Sequence, residues 1–209
     1  SAEIEAVVQS RAEVCTASLT ILPPFSEPTD YQARNMMLAK AVANEILKAD
    51  GKPHLSDATT AQVAQHQIPG RMEIVPYSHG QIILDGAHNA QKIESLVRAI
   101  KQRFPDEHIS LILSFANNKA TYLVECLTSL HELSETVVVT EFNLGQDVPR
   151  QPVPVADLVQ LCRTVGFTEV STQSDSGKAL ADLMQRGGTI LVTGSLYLIA
   201  EIRRVLNQV

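Results

Sequence analysis

The chain has 209 residues, 44% of them hydrophobic and 19% charged, with a formal charge of -6 and a pI near 5.5. That profile fits one large globular domain, or one domain and part of another. The acid excess and the lack of any Lys/Arg block argue against a nucleic-acid surface, and no apolar run is long enough to span a bilayer. The three scattered cysteines, Cys15, Cys126 and Cys162, read as reduced thiols of a cytoplasmic protein, not as a disulfide framework or zinc site. The chain opens on Ser1, which is compatible with a piece of something longer.

Residues Ala2–Arg11 suit a short helix, and Thr16–Leu22, β-branched and apolar, predicts a strand. "PPFSEPTD" is loop chemistry, with Thr29 or Asp30 able to cap the helix beyond it. From Tyr31, residues Met36, Met37, Ala39, Ala41, Val42, Ile46 and Leu47 fall at helical spacing, and Gly51 ends the helix. A shorter helix is predicted over Thr59–Gln65, and Ile68-Pro69-Gly70-Arg71 is a break.

After Arg71 the pattern alternates. Strands are predicted at Met72–Pro76, Ile82–Asp85, Ile109–Phe115, Thr136–Thr140, Glu169–Ser171 and Thr189–Thr193. Helices are predicted at Ala90–Arg103, Ala120–Leu130, Val155–Val165, Ser176–Gln185 and Leu196–Leu206. Such alternation implies βαβ units and a mainly parallel sheet covered on both faces. Residues 68–209 therefore read as an α/β domain, and residues 1–67 as the tail of a different, more helical unit.

Three strand-to-helix turns are candidate binding elements, because ligands of open parallel sheets bind beyond the carboxyl ends of the strands. In "LDGAHNA", Gly86 allows a tight turn or a close approach, Asn89 can cap the next helix, Asp85 can accept from hydroxyls, and His88 can donate to an anion. "VTGS" has the same grammar, with Ser195 as a helix cap, and "SFANNKA" (Ser114–Ala120) is the third. The bland alternative, a simple turn with Asp85 bonding nearby amides, is equally compatible with the residues. Ser176-Gly177-Lys178-Ala179 lacks the first glycine and the hydroxyl of a phosphate loop, and no G-x-G-x-x-G or G-x-S-x-G occurs. The six histidines show no metal-ligand spacing.

"IPGRMEIV" (68–75), "ILDGAHNA" (83–90) and "VTGSLYLIAEIR" (192–203) together resemble folylpolyglutamate synthases and dihydrofolate synthases of the Mur ligase superfamily. "YQARNMMLAKAV" (31–42) resembles the family's Gln-x-x-Asn helix, which closes its central ATPase domain. The resemblance implies a Rossmann-like domain at 68–209, preceded by a helical remnant of the ATPase domain at 1–67. It implies a ligase using ATP and Mg2+ to join L-glutamate to a folate or dihydropteroate carboxylate through an acyl phosphate. By motif, Asn35 would contact the adenine side of ATP, Arg71 its phosphates and Asp85 the ribose region, while His88 and Ser195 would hold the incoming glutamate. Departures are Ala90, where the family has proline, and Asn117-Asn118-Lys119-Ala120, where it has acids. The phosphate loop and metal ligands are expected upstream of these residues, so this stretch alone is expected to be inactive. A non-catalytic nucleotide- or amino-acid-binding module of the same fold is the alternative, and a nucleotide-cofactor oxidoreductase a weaker third.

Overall fold

The computed structural model describes residues 2–22, 31–117, 122–142 and 151–207. It divides into two compact units, Ser1–Leu55 and Ser56–Val209. In the first, α1 (Ala2–Val14) extends the expected helix, and α2 (Tyr31–Ala49) follows the predicted periodicity. Neither buries a residue. Gly51, at φ +68°, lies just beyond the end of α2. The strand expected over residues 16–22 does not form: the segment is irregular and mostly exposed. A strand needs a neighbour for its backbone groups, and none pairs with it among the described residues. Thr29 and Asp30, the expected caps of α2, lie outside the described residues.

The second unit begins with α3 (Asp57–Ala64), capped by Ser56, whose hydroxyl accepts from Thr59 N at 3.0 Å. Then come β1 (Glu73–Tyr77), β2 (Gly80–Leu84), α4 (Ala90–Arg103), β3 (Ile109–Leu113), α5 (Leu123–His131) and β4 (Thr136–Val139). They are followed by α6 (Val155–Val165), β5 (Glu169–Thr172), α7 (Ser176–Arg186), β6 (Gly188–Thr193) and α8 (Leu196–Leu206). The strands form one sheet in the order β1-β2-β6-β3-β4-β5. Only β1 runs antiparallel. Pro76 sits in that edge strand, where its missing N–H leaves no central ladder broken.

One face of the sheet buries Ile82, Leu84, Ile112, Val138, Ile190 and Val192 in a cluster with Leu180 and Leu183 of α7 and Leu198, Ile199 and Ile202 of α8. The alternate residues Ile83, Leu111, Leu113, Val137, Val139 and Leu191 are equally buried and by the pleat face the other way, the side of α4, α5 and α6. Strands buried on both faces explain why their sequences read as continuous apolar runs, without alternation. Cys126 and Cys162 belong to this interior: burial pushes their thiols up to about 11 and about 12, which keeps both protonated and inert at neutral pH. Among the described residues no helix is long and apolar enough to cross a membrane.

Chain path fixes where a ligand can sit. β2 and β6 are adjacent and parallel, with Leu84 opposite Val192. Beyond Leu84 the chain leaves for α4 on one face; beyond Thr193 it leaves for α8 on the other. Neighbouring strands whose connections diverge in this way open a crevice at their carboxyl ends, the switch point of an open α/β sheet.

Candidate functional site

Four of the five expected site residues stand around that switch point. Asp85 follows β2 directly and is 3% exposed. Its Oδ1 accepts from Ala87 N and its Oδ2 from Met72 N, both at 2.8 Å. The carboxylate therefore acts first on the protein's own backbone, joining the turn before β1 to the turn after β2. Asp85 N donates to Val192 O at 3.1 Å, and Gly86 N to Gly70 O at 2.9 Å, so the Gly70–Met72 turn is fastened to both the 85–87 loop and, through it, the end of β6.

Arg71 is the centre of that turn. Gly70 has φ +66° and Met72 φ +49°. The second value is rare for a residue with a side chain and persists only where surrounding structure holds it. It also explains why the strand expected from Met72 begins one residue later. Gly70 and Met72 are buried, whereas Arg71 between them is partly exposed. Its guanidinium reaches over Gly86, where an added Cβ would meet Arg71 Nη1 at 3.4 Å. Arg71 and Asp85 thus share one side of the crevice.

His88 is half-buried, with Nδ1 2.8 Å from Gly86 O. A carbonyl only accepts, so Nδ1 carries the hydrogen, which fixes the tautomer of the neutral ring. Asn89 caps α4 as the sequence implies: its Oδ1 accepts from Lys92 N at 3.0 Å, on an extended backbone at φ -144°, ψ 164°. On the β6 side, Ser195 is buried and caps α8 through Tyr197 N at 3.2 Å. Gly194 N donates to Ala87 O at 3.0 Å and Thr193 Oγ1 to the same carbonyl at 3.3 Å. These bonds tie the two divergent loops together, and two helix starts, each favourable to an anion, flank the crevice.

Asn35 belongs to the other compact unit, as an exposed residue of α2. In the third turn Asn117 N donates to Gln151 O and Val153 N to Phe115 O, at 2.9 and 2.7 Å, and residues 118–121 lie outside the described residues. The start of this turn lies against the β6–α8 turn, where a Cβ on Gly194 would meet Ser114 O at 2.5 Å and the Phe115 ring at 3.1 Å. Among the described residues no group of three or more His, Cys, Asp or Glu side chains is placed to hold a metal ion.

Two contributors were not singled out from the sequence. Glu73, two residues past Arg71 in the same motif, accepts from Gly70 N at 2.7 Å and from Arg203 Nε at 3.2 Å. Leu196 lays its side chain against Gly86 and Gly70. The motif "GRME" held the signal for Glu73; for Leu196 an apolar residue at the first helical position carried none.

The family model described as dihydrofolate synthetase, C-terminal domain, matches residues 71–206. The chain belongs to that family. It is similar to the dihydrofolate synthase/folylpolyglutamate synthase of Bacillus subtilis (strain 168), 29% identical over 178 residues, covering 85% of this chain and 39% of the relative. Among solved structures it is similar to folylpolyglutamate synthase from Thermotoga maritima, with TM-score 0.63 and 29% identity over 78% of this chain and 36% of that one. Mycobacterium tuberculosis folylpolyglutamate synthase, complexed with ADP and AMPPCP, shares the fold at TM-score 0.60 and 23% identity, over 77% of this chain and 37% of its own. The chain thus spans about two-fifths of the curated relative's length, and the sheet order and divergent loops of its family domain are the frame on which the three motifs converge.

Proposed function

We propose that this chain is the C-terminal part of a cytoplasmic ATP-dependent ligase that joins L-glutamate to the carboxylate of a folate or dihydropteroate. The observation that carries the reading is the placement of Arg71, a guanidinium set by a clamped turn beside the Asp85–Asn89 loop. An arginine there offsets negative charge on a phosphorylated carboxylate as the γ-phosphoryl leaves ATP and, later, as inorganic phosphate leaves the acyl carbon. The nucleotide named with the Mycobacterium tuberculosis neighbour supports ATP as the phosphoryl source.

In this reading the glutamate amine attacks the acyl phosphate carbon while its carboxylates are held by His88 and the start of α8 at Ser195. With Nδ1–H given to Gly86 O, the half-buried imidazole holds a carboxylate through Nε2–H in its doubly protonated, cationic form. Asp85 holds the loop that carries His88 and lies next to the ribose region. Asn35 is assigned to the adenine side by its motif alone, within the ATPase part of which residues 1–67 are the end. Exposed Ile4, Val7 and Val8 on α1 and Leu38, Val42 and Ile46 on α2 are the apolar surface that a larger ATPase domain would cover. Mg2+ and the phosphate-binding loop are supplied by that domain, so residues 1–209 alone form no amide bond.

The test is an ATP-dependent glutamate-ligation assay on the full-length protein, with dihydropteroate and with a reduced folate. Wild type should release one phosphate per amide formed. Arg71→Ala should lower kcat by roughly a hundredfold or more with no loss of thermal stability. Asp85→Ala should lose activity and also about 2 kcal/mol or more of stability, because two backbone N–H groups lose their acceptor. Binding of ATP or glutamate without turnover by the full-length protein would instead establish the non-catalytic module.

A further inference from the structure

We infer that Glu73 is a positioning residue for Arg71, anchored by Arg203, and that it sets the direction in which the guanidinium meets an anionic group. Four observations carry this. Glu73 Oε2 accepts from Gly70 N at 2.7 Å, which closes a ring over the two residues between them. Its Oε1 accepts from Arg203 Nε at 3.2 Å, and the Glu73 side chain is only 13% exposed, so the arginine of α8 provides the countercharge that a shielded carboxylate needs. The next N–H but one along that turn, Met72 N, is held by Asp85 Oδ2. Both residues flanking Arg71 adopt positive φ, a geometry that a free linker does not keep.

The turn is thus gripped by a carboxylate on each side, and Arg71 is its one partly exposed member between two buried neighbours. The Glu73–Arg203 pair also links this turn to the last turn of α8, the helix that Ser195 caps at its other end. This strut therefore ties the turn that carries Arg71 to the body of α8. A displacement near 1 Å at such a group is enough to slow a reaction by about two orders of magnitude, and the strut removes that freedom.

This inference rests on the ligase reading, so its test includes a readout that needs no turnover. Full-length wild type is compared with Glu73→Ala, Glu73→Gln, Arg203→Met, Arg71→Ala and the Arg71→Ala/Glu73→Ala pair. Glu73→Ala should lower kcat at least about tenfold while KM for glutamate stays within about twofold. Glu73→Gln, which keeps an acceptor for Gly70 N–H, should recover most of the rate, and Arg203→Met should fall between. The double variant should be no slower than Arg71→Ala alone, because Glu73 acts through Arg71; a rate that drops by the product of the two single effects overturns the proposal. In parallel, amide exchange at Gly70 and Gly86 should accelerate in Glu73→Ala and Arg203→Met while amides of β2 and β6 keep their protection. Unchanged exchange at Gly70 and Gly86 also overturns it. Absence of amide formation by wild type would overturn the ligase reading, and the exchange result would still decide the clamp.

Discussion

A Cβ built on Gly86 would lie 2.1 Å from Leu196 Cδ2 and 2.7 Å from its Cγ, and 3.4 Å from Arg71 Nη1. Glycine is needed there for space, since the position shows no left-handed backbone. Leu196, at 46% exposure, fills the notch between Gly86 and Gly70. Gly86→Ala should therefore cost about 1–3 kcal/mol through overpacking and push the Leu196 side chain out or Arg71 aside. The added variant Leu196→Ala removes the obstruction. If the steric account is right, the double variant is more stable than Gly86→Ala alone by urea unfolding. Further loss in the double variant would mean that the backbone at 86, and not Leu196, is what the methyl group meets.

At the scale of elements, α4 begins on Ala90, immediately after a cap with the extended backbone that a proline at the next position requires. Proline at a first helical position loses no intrahelical hydrogen bond and narrows the unfolded ensemble. Ala90→Pro should accordingly raise stability by about 0.4–1 kcal/mol, seen as a higher Tm, with activity of the full-length protein unchanged. A lowered Tm would show that Ala90 N–H or its neighbours have a role at the crevice that the cap geometry hides. The helices with clear stop and start residues were legible in the sequence: α4, α6 and α8 run between the expected residues, because Asn89, Ser195 and Gly166 punctuate the chain. Thr16–Leu22 misled because β propensity measures fit to a neighbouring strand, and a single sequence does not show whether a neighbour exists. The antiparallel pairing of β1 with β2 turns on only Ser78 and His79, a pair without a strong turn signature. In the site, the motif residues were legible but their duties were not: whether Asp85 reaches for a ribose or for Met72 N and Ala87 N depends on a turn thirteen residues earlier in the chain.

For the whole molecule, the division of apolar burial between the two units has a direct consequence. Every described residue of the buried apolar core lies within 72–202, inside Ser56–Val209, whereas α1 and α2 bury none. Burial at about 25 cal/mol per Å² is what offsets the entropy of ordering a chain, so the second unit carries the means to fold and the first does not. Isolated helices of this length are marginal in water without packing. Residues 1–55 should therefore open with a free energy near zero when this stretch is studied by itself, and residues 56–209 should unfold cooperatively. Limited proteolysis should cut first within 1–55 and leave a resistant fragment close to 56–209. That fragment, produced directly, should show the same urea midpoint as the 209-residue chain. A midpoint shifted clearly downward, or equal resistance of the two units, would place stabilising contacts in the first unit, and the dependence of 1–67 on a larger ATPase domain would then lose its physical basis.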